Sequence, residues 1–201
     1  PSDEVRAAAL EALARIGSPE GLQALMDALA HDNPNRSESP VRAAFALVGD
    51  AAVPRLLRCL VGQPSATLAD GCALVLAELE AQSAREAVED ALRRGVVRPT
   101  AALRALARLG EPRSLATVLE HLSDPDARVR RAATDAAAEL LDPRQPDGRA
   151  VAPIRRALEA AQASRFEQMA LLSLLGATGS PRAVEILAPI AENADSPILR
   201  I

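Results

Sequence analysis

One pattern recurs along this chain and limits what it can fold into: a capping residue, a proline, then apolar residues at helical spacing. Between Asp124 and Leu141 it reads DPDARVRRAATDAAAELL. Asp124 can accept the free N–H groups of a starting helix, Pro125 suits the first helical position, and Asp126 adds negative charge where the helix dipole favours it. Val129, Ala132, Ala133, Ala136 and Leu140 then share one face. Ser18-Pro19, Ser39-Pro40, Ser180-Pro181 and Ser196-Pro197 repeat the start signal. Gly17, Gly49, Gly110 and Gly179 stand where a left-handed residue would close a first helix. This is how 15 prolines coexist with an almost wholly helical reading. A helix pair cannot bury its apolar face alone, so such recurrence implies a stack of repeats.

The marks delimit about six antiparallel hairpins. First helices are expected over roughly 3–16, 39–49, 65–80, 99–109, 125–141 and 164–177, and second helices over 19–30, 51–61, 83–94, 112–122, 148–161 and 181–192. Leu22, Val53, Val88, Leu115, Val151 and Val184 align across the second helices. Leu25, Leu56, Ala91, Val118, Ile154 and Leu187 follow three residues later as a common core face. The connections HDNPNRSE (31–38) and DPRQPDG (142–148) are polar and rich in turn formers, and are expected to be exposed and mobile. Pro189 should kink or end the last helix.

Val5-Arg6, Val41-Arg42 and Val129-Arg130 open first helices. LARIGSPEGLQALMDAL (13–29), LARLGEPRSLATVLEHL (106–122) and LGATGSPRAVEILAPIA (175–191) join first to second helices. In these motifs the chain resembles HEAT-like repeats of the short kind named in phycobilisome lyases. The resemblance implies an all-α fold, an α-α superhelix of the HEAT-like or armadillo type, with second helices lining its concave side. We expect one such solenoid over residues 1–201, cut from a longer protein, whose exposed terminal repeats would self-associate.

Composition supports the class. Hydrophobic residues make up 49% of the chain but aromatics only 1%, and much of the rest is alanine, the best helix former. All 23 basic residues are arginine, which suggests a GC-rich, bacterial source. The net charge of −4 argues against nucleic acid as a partner. No apolar run is long enough to span a membrane. Cys59 and Cys72 fall in consecutive helices; Cys72 shares an apolar face with Leu68, Val75, Leu76 and Leu79 and reads as a buried thiol, which fits a reducing, cytoplasmic compartment.

Chemistry-bearing motifs are absent from the sequence. There is no phosphate loop, nucleophile elbow or Cys/His cluster at ligand spacing, and we therefore expect no enzyme, no cofactor and no metal site. His31 reads as a helix C-cap and His121 as an exposed surface residue. Arg6, Arg42, Arg130 and Arg200 recur at one repeat position, where an arginine would pair with acids or carbonyls of the neighbouring repeat and fix the stacking.

The outward face of the second helices is the candidate site. Arg55 and Arg58, Arg93 and Arg94, and Arg155 and Arg156 occupy near-equivalent positions, interrupted by Asp27 and Glu120 in the first and fourth hairpins. Intrahelical pairs such as Glu89 with Arg93 could solvate this face. As a docking surface it would select an acidic protein or peptide segment, since arginine is enriched at binding hot spots. The expected role is a protein-protein interaction scaffold or adaptor. The family resemblance implies an alternative, a lyase-like or chaperone-like role in attaching a tetrapyrrole chromophore, and a sensor module of a larger protein is a further one.

Overall fold

Paired helices make up the regular structure of the computed structural model, which describes residues 2–34, 36, 38–62, 64–160 and 164–192. The pairs are α1 (Asp3–Ile16) with α2 (Pro19–Leu29), α3 (Pro40–Val48) with α4 (Val53–Val61), and α5 (Ala66–Glu78) with α6 (Arg85–Arg93). There follow in chain order α7 (Pro99–Leu109), α8 (Leu115–Glu120), α9 (Ala127–Leu140) with α10 (Val151–Ala160), and α11 (Arg165–Ala177) with α12 (Pro181–Glu192). No strand occurs among the described residues. The all-α helical-repeat class is the one expected. The chain divides into two compact units, Pro1–Leu109 and Gly110–Ile201.

The serine caps form as the sequence dictates. Ser18 Oγ accepts the Gly21 N–H at 3.0 Å and Ser39 Oγ the Arg42 N–H at 3.2 Å, each with proline at the first helical position. Asp124 behaves differently. Its carboxylate accepts the Asp126 N–H at 2.8 Å, and Asp126 in turn caps α9 by accepting the Arg128 N–H at 2.9 Å. Pro125 therefore lies in a turn before the helix, which starts two residues later than its sequence suggests. Ser196-Pro197 and Arg200 lie outside the described residues. In the second, third and fourth hairpins a 3-10 turn (Gly49–Ala52, Gln82–Ala84, Pro112–Ser114) leads into the second helix. The α-helical part accordingly begins two or three residues late.

In the first unit, α1, α3, α5 and α7 pack in succession, and α2, α4 and α6 each pack on a first helix as well. The interior holds Leu25, Leu29, Phe45, Leu56, Leu60, Leu76, Leu103 and Leu106. Every residue of α5 from Ala69 to Ala77 is buried, which is why that helix is apolar around its whole circumference. Two polar clamps cross between first helices. Arg42 on α3, 4% exposed, pairs with Glu78 on α5 at 3.3 Å. Asp70 on α5, 1% exposed, accepts the Arg98 N–H at 2.8 Å and also pairs with the Arg98 guanidinium. Burial pushes the Asp70 carboxyl above the usual carboxylate range, and Arg98 only partly draws it back.

In the second unit, α8 packs on α9, α9 on α11, and α10 on both α11 and α12, around Leu122, Ile154, Leu158 and Leu171. Arg130 on α9 pairs with Glu167 on α11 and also donates to the carbonyls of Asp124 and Pro125. The stacking role expected of Arg42 and Arg130 is thus found, whereas Arg6 is exposed.

Three expectations need correction here. The connections are largely exposed, as expected, but hydrogen bonds hold them at several points. Ser39 donates to Asp32 at 2.6 Å and Arg104 to the Pro34 carbonyl at 3.2 Å, while the Asp147 N–H donates to Thr178 at 2.9 Å. The last second helix is rotated by one residue against the alignment: Ala183 and Ile186 are buried, and Val184 is 60% exposed. Finally, α12 runs through Pro189 to Glu192, so of the two effects expected of this proline the ending of the helix does not occur. A proline three residues from a helix end removes one N–H donor without ending the helix.

Candidate binding surface on the second helices

The six arginines are not equivalent in the folded chain. Arg55 reaches from α4 to α2 and donates to the Gln23 side-chain oxygen, and Gln23 donates onward to Asp27 at 2.7 Å. Arg94 donates to the Leu60 carbonyl at 2.7 Å and to Val61 at 3.5 Å, and pairs with Asp90 at 2.7 Å. It therefore satisfies carbonyls at the C-terminal end of α4, where positive charge is favoured. Both residues join one second helix to the next, a task the sequence reading did not assign them.

The other two arginines of the first unit face solvent. Arg58 is exposed and donates to the Pro54 carbonyl of its own helix at 3.2 Å. Arg93 pairs loosely with Asp90 at 3.6 Å, while Glu89, its expected partner, pairs with Arg85 at 2.9 Å. Since α4 packs against α6, these four arginines stand on or beside neighbouring helices of that unit.

In the second unit Arg155 pairs with Glu159 at 3.6 Å, and both are about half exposed. Arg156 lines a groove of about 370 Å³ between α8 and α10. Its walls carry Arg113, Glu120, Asp147 and Arg149, and its apolar lining is Pro112, Leu115, Ala116, Leu119 and Pro153. Arg149 pairs with Asp147 at 2.8 Å and holds that carboxyl below the usual range. Arg113 and Arg156 have no ion pair among the described residues. Arg113 and Arg149 were missed in the sequence because its spans placed them in the first turns of second helices, whereas both stand before the α-helical part begins.

The histidines take structural places. The His31 imidazole hydrogen-bonds the Asp27 carbonyl at 2.9 Å near the end of α2. His121 is only partly exposed, contrary to expectation, because its ring turns to Asp124 at 3.6 Å. Among the described residues no cluster of His, Cys, Asp and Glu could hold a metal ion, and no helix is long and apolar enough to cross a membrane.

A family model described as HEAT repeats matches residues 1–47 and 95–147, which takes in Val5-Arg6, Val41-Arg42 and Val129-Arg130. The chain carries HEAT repeats. No curated protein matches it. Among solved structures it is similar to the complex of CpcE and CpcF of phycocyanin lyase from Nostoc sp. PCC7120. The match has a TM-score of 0.49 at 21% identity and covers 99% of this chain and 87% of that one. The expectation that the chain is not an enzyme is corrected by this finding, because the protein it is similar to is a lyase. The missing motifs exclude only chemistries that need those motifs, and HEAT hairpins can bring together residues far apart in sequence.

Proposed function

We propose that this HEAT-repeat chain is a scaffold that binds a protein or peptide segment rich in Asp and Glu. Arg58, Arg93 and Arg156 are the contact residues, Arg155 is secondary, and Arg55 and Arg94 hold the helices that present Arg58 and Arg93. The observation that supports this most is the groove of the second unit. Three arginines stand over an apolar floor against two acids, and Arg113 and Arg156 have guanidinium groups without an ion pair among the described residues. A carboxylate entering there would gain charge-assisted hydrogen bonds without first displacing an internal acid from those two residues.

The reading is tested by fluorescence anisotropy with a labelled Glu-rich peptide carrying interspersed leucines. The parent chain should bind it, and a variant with Arg58→Glu, Arg93→Glu and Arg156→Glu should lose binding at least tenfold, about 1.4 kcal/mol. Far-UV circular dichroism should be unchanged, as all three side chains are exposed. Equal binding by both chains would place the site elsewhere.

A second reading rests on the repeat motifs over 13–29, 106–122 and 175–191. It gives the chain a lyase-like role in attaching a tetrapyrrole. Mixing the chain with bilin should then shift the bilin absorption band, and an unshifted band ends that reading.

A further inference from the structure

Cys59 and Cys72 are the two cysteines of the chain, and the fold sets them against each other. Cys59 lies in the last turns of α4 and Cys72 near the middle of α5, with the sulfurs 2.8 Å apart. A disulfide requires about 2.05 Å, so closing the gap takes well under 1 Å of movement at a helix end. Their surroundings differ. Cys72 is fully buried within the apolar run of α5, whereas Cys59 is half-buried and open on one side to solvent. The Cys72 S–H donates to Cys59, which lowers the Cys59 thiol below its ordinary range, while that bond and burial raise Cys72.

We propose that Cys59 and Cys72 form a reversible dithiol–disulfide pair that responds to peroxides, with Cys59 the attacking sulfur and Cys72 the resolving one. In the first step the Cys59 thiolate takes the terminal oxygen of the peroxide. An S–O bond forms, the O–O bond breaks, and the remaining alkoxide or hydroxide leaves and takes a proton. In the second step the Cys72 sulfur attacks the Cys59 sulfur, the S–S bond forms and the S–O bond breaks. The departing hydroxide leaves as water with the Cys72 proton. Two thiols lose two electrons in all, and the peroxide gains them. The buried resolving sulfur makes the second step intramolecular and keeps the sulfenic acid from further oxidation. The crosslink fastens the end of α4 to α5, in the same turn whose Leu60 and Val61 carbonyls are held by Arg94.

The test treats the whole chain with hydrogen peroxide, then unfolds and alkylates it with iodoacetamide for intact-mass measurement. The chain should lose the mass of two hydrogens, take up no alkyl group and stay monomeric on a non-reducing gel. Dithiothreitol should restore both alkylatable thiols. In Cys72→Ser, or Cys72→Ala if serine disturbs the core, a sulfenic acid should become trappable by dimedone at Cys59. Cys59→Ser should give no such adduct. Added oxygens at Cys59 with Cys72 still alkylatable, a disulfide-linked dimer, or no reaction at all would each overturn the proposal.

Discussion

Arg130 on α9 meets Glu167 on α11 side-on, with Nε 2.5 Å from Oε1 and Nη2 3.2 Å from Oε2. Arg42 on α3 also pairs with an acid of the next first helix in the other unit, but by one contact at 3.3 Å to Glu78 at the C-terminal end of α5, whereas Glu167 stands in the first turn of α11. The same arginine position thus pairs with an acid of the next first helix in both units, and at Arg130 it does so as a fork. A fork of two parallel hydrogen bonds fixes both the distance and the rotation of one helix on the next. A double-mutant cycle with Arg130→Ala and Glu167→Ala measures this clamp. Each single change should cost about 1–3 kcal/mol by urea unfolding, with a coupling of roughly 0.5–3 kcal/mol. Additive losses would show that the pair does no more than decorate the surface.

Two glycines of the second unit separate conformational strain from crowding. Gly110 has φ +68° with nothing near an added Cβ, while at Gly179 (φ +58°) the Cβ would lie unacceptably close to the Pro143 carbonyl. Gly110→Ala should cost only the left-handed penalty, about 1–2 kcal/mol. Gly179→Ala should cost that plus roughly 1–3 kcal/mol of overpacking, because the obstacle is backbone. Equal losses in the two variants would contradict the close approach of the 142–148 connection to α12.

Asp70 makes a prediction about pH. Its carboxyl is raised by burial, so in the folded chain it holds a proton at a pH where the unfolded chain has released it. Stability from this group is therefore greatest below the unfolded value of about 3.9 and is lost as pH rises through the folded value. Asn at this position has no such dependence. The stability advantage of the parent over Asp70→Asn should shrink between pH 4 and pH 7 in urea titrations. An advantage that grows with pH would mean that Arg98, and not burial, dominates the site.

The order and type of the helices were legible because cap, proline and apolar spacing are local signals. So was the stacking role of Arg42 and Arg130, which recurrence in register made visible. The error at Asp124 came from two aspartates two residues apart, of which Asp126 caps α9 and Asp124 closes the turn before it. The slip at Val184 has a different origin, since helical spacing does not fix how one helix rotates on another. The same limit hid the tasks of Arg55 and Arg94, whose partners lie 32 to 34 residues away on neighbouring second helices. It also hid the contact of Cys59 with Cys72, whereas Arg113 and Arg149 escaped the candidate site because the α-helical parts of their hairpins begin after them.

The central claim, that exposed guanidinium groups on the second helices recognise acidic segments, is tested most directly by the salt dependence of peptide binding. Anisotropy titrations of the labelled Glu-rich peptide, run from low to high sodium chloride, should show affinity falling steadily as the exposed charges are screened. The dependence should flatten in the Arg58→Glu, Arg93→Glu and Arg156→Glu variant. Affinity that is independent of salt in the parent chain, or falls equally in both, would contradict the account.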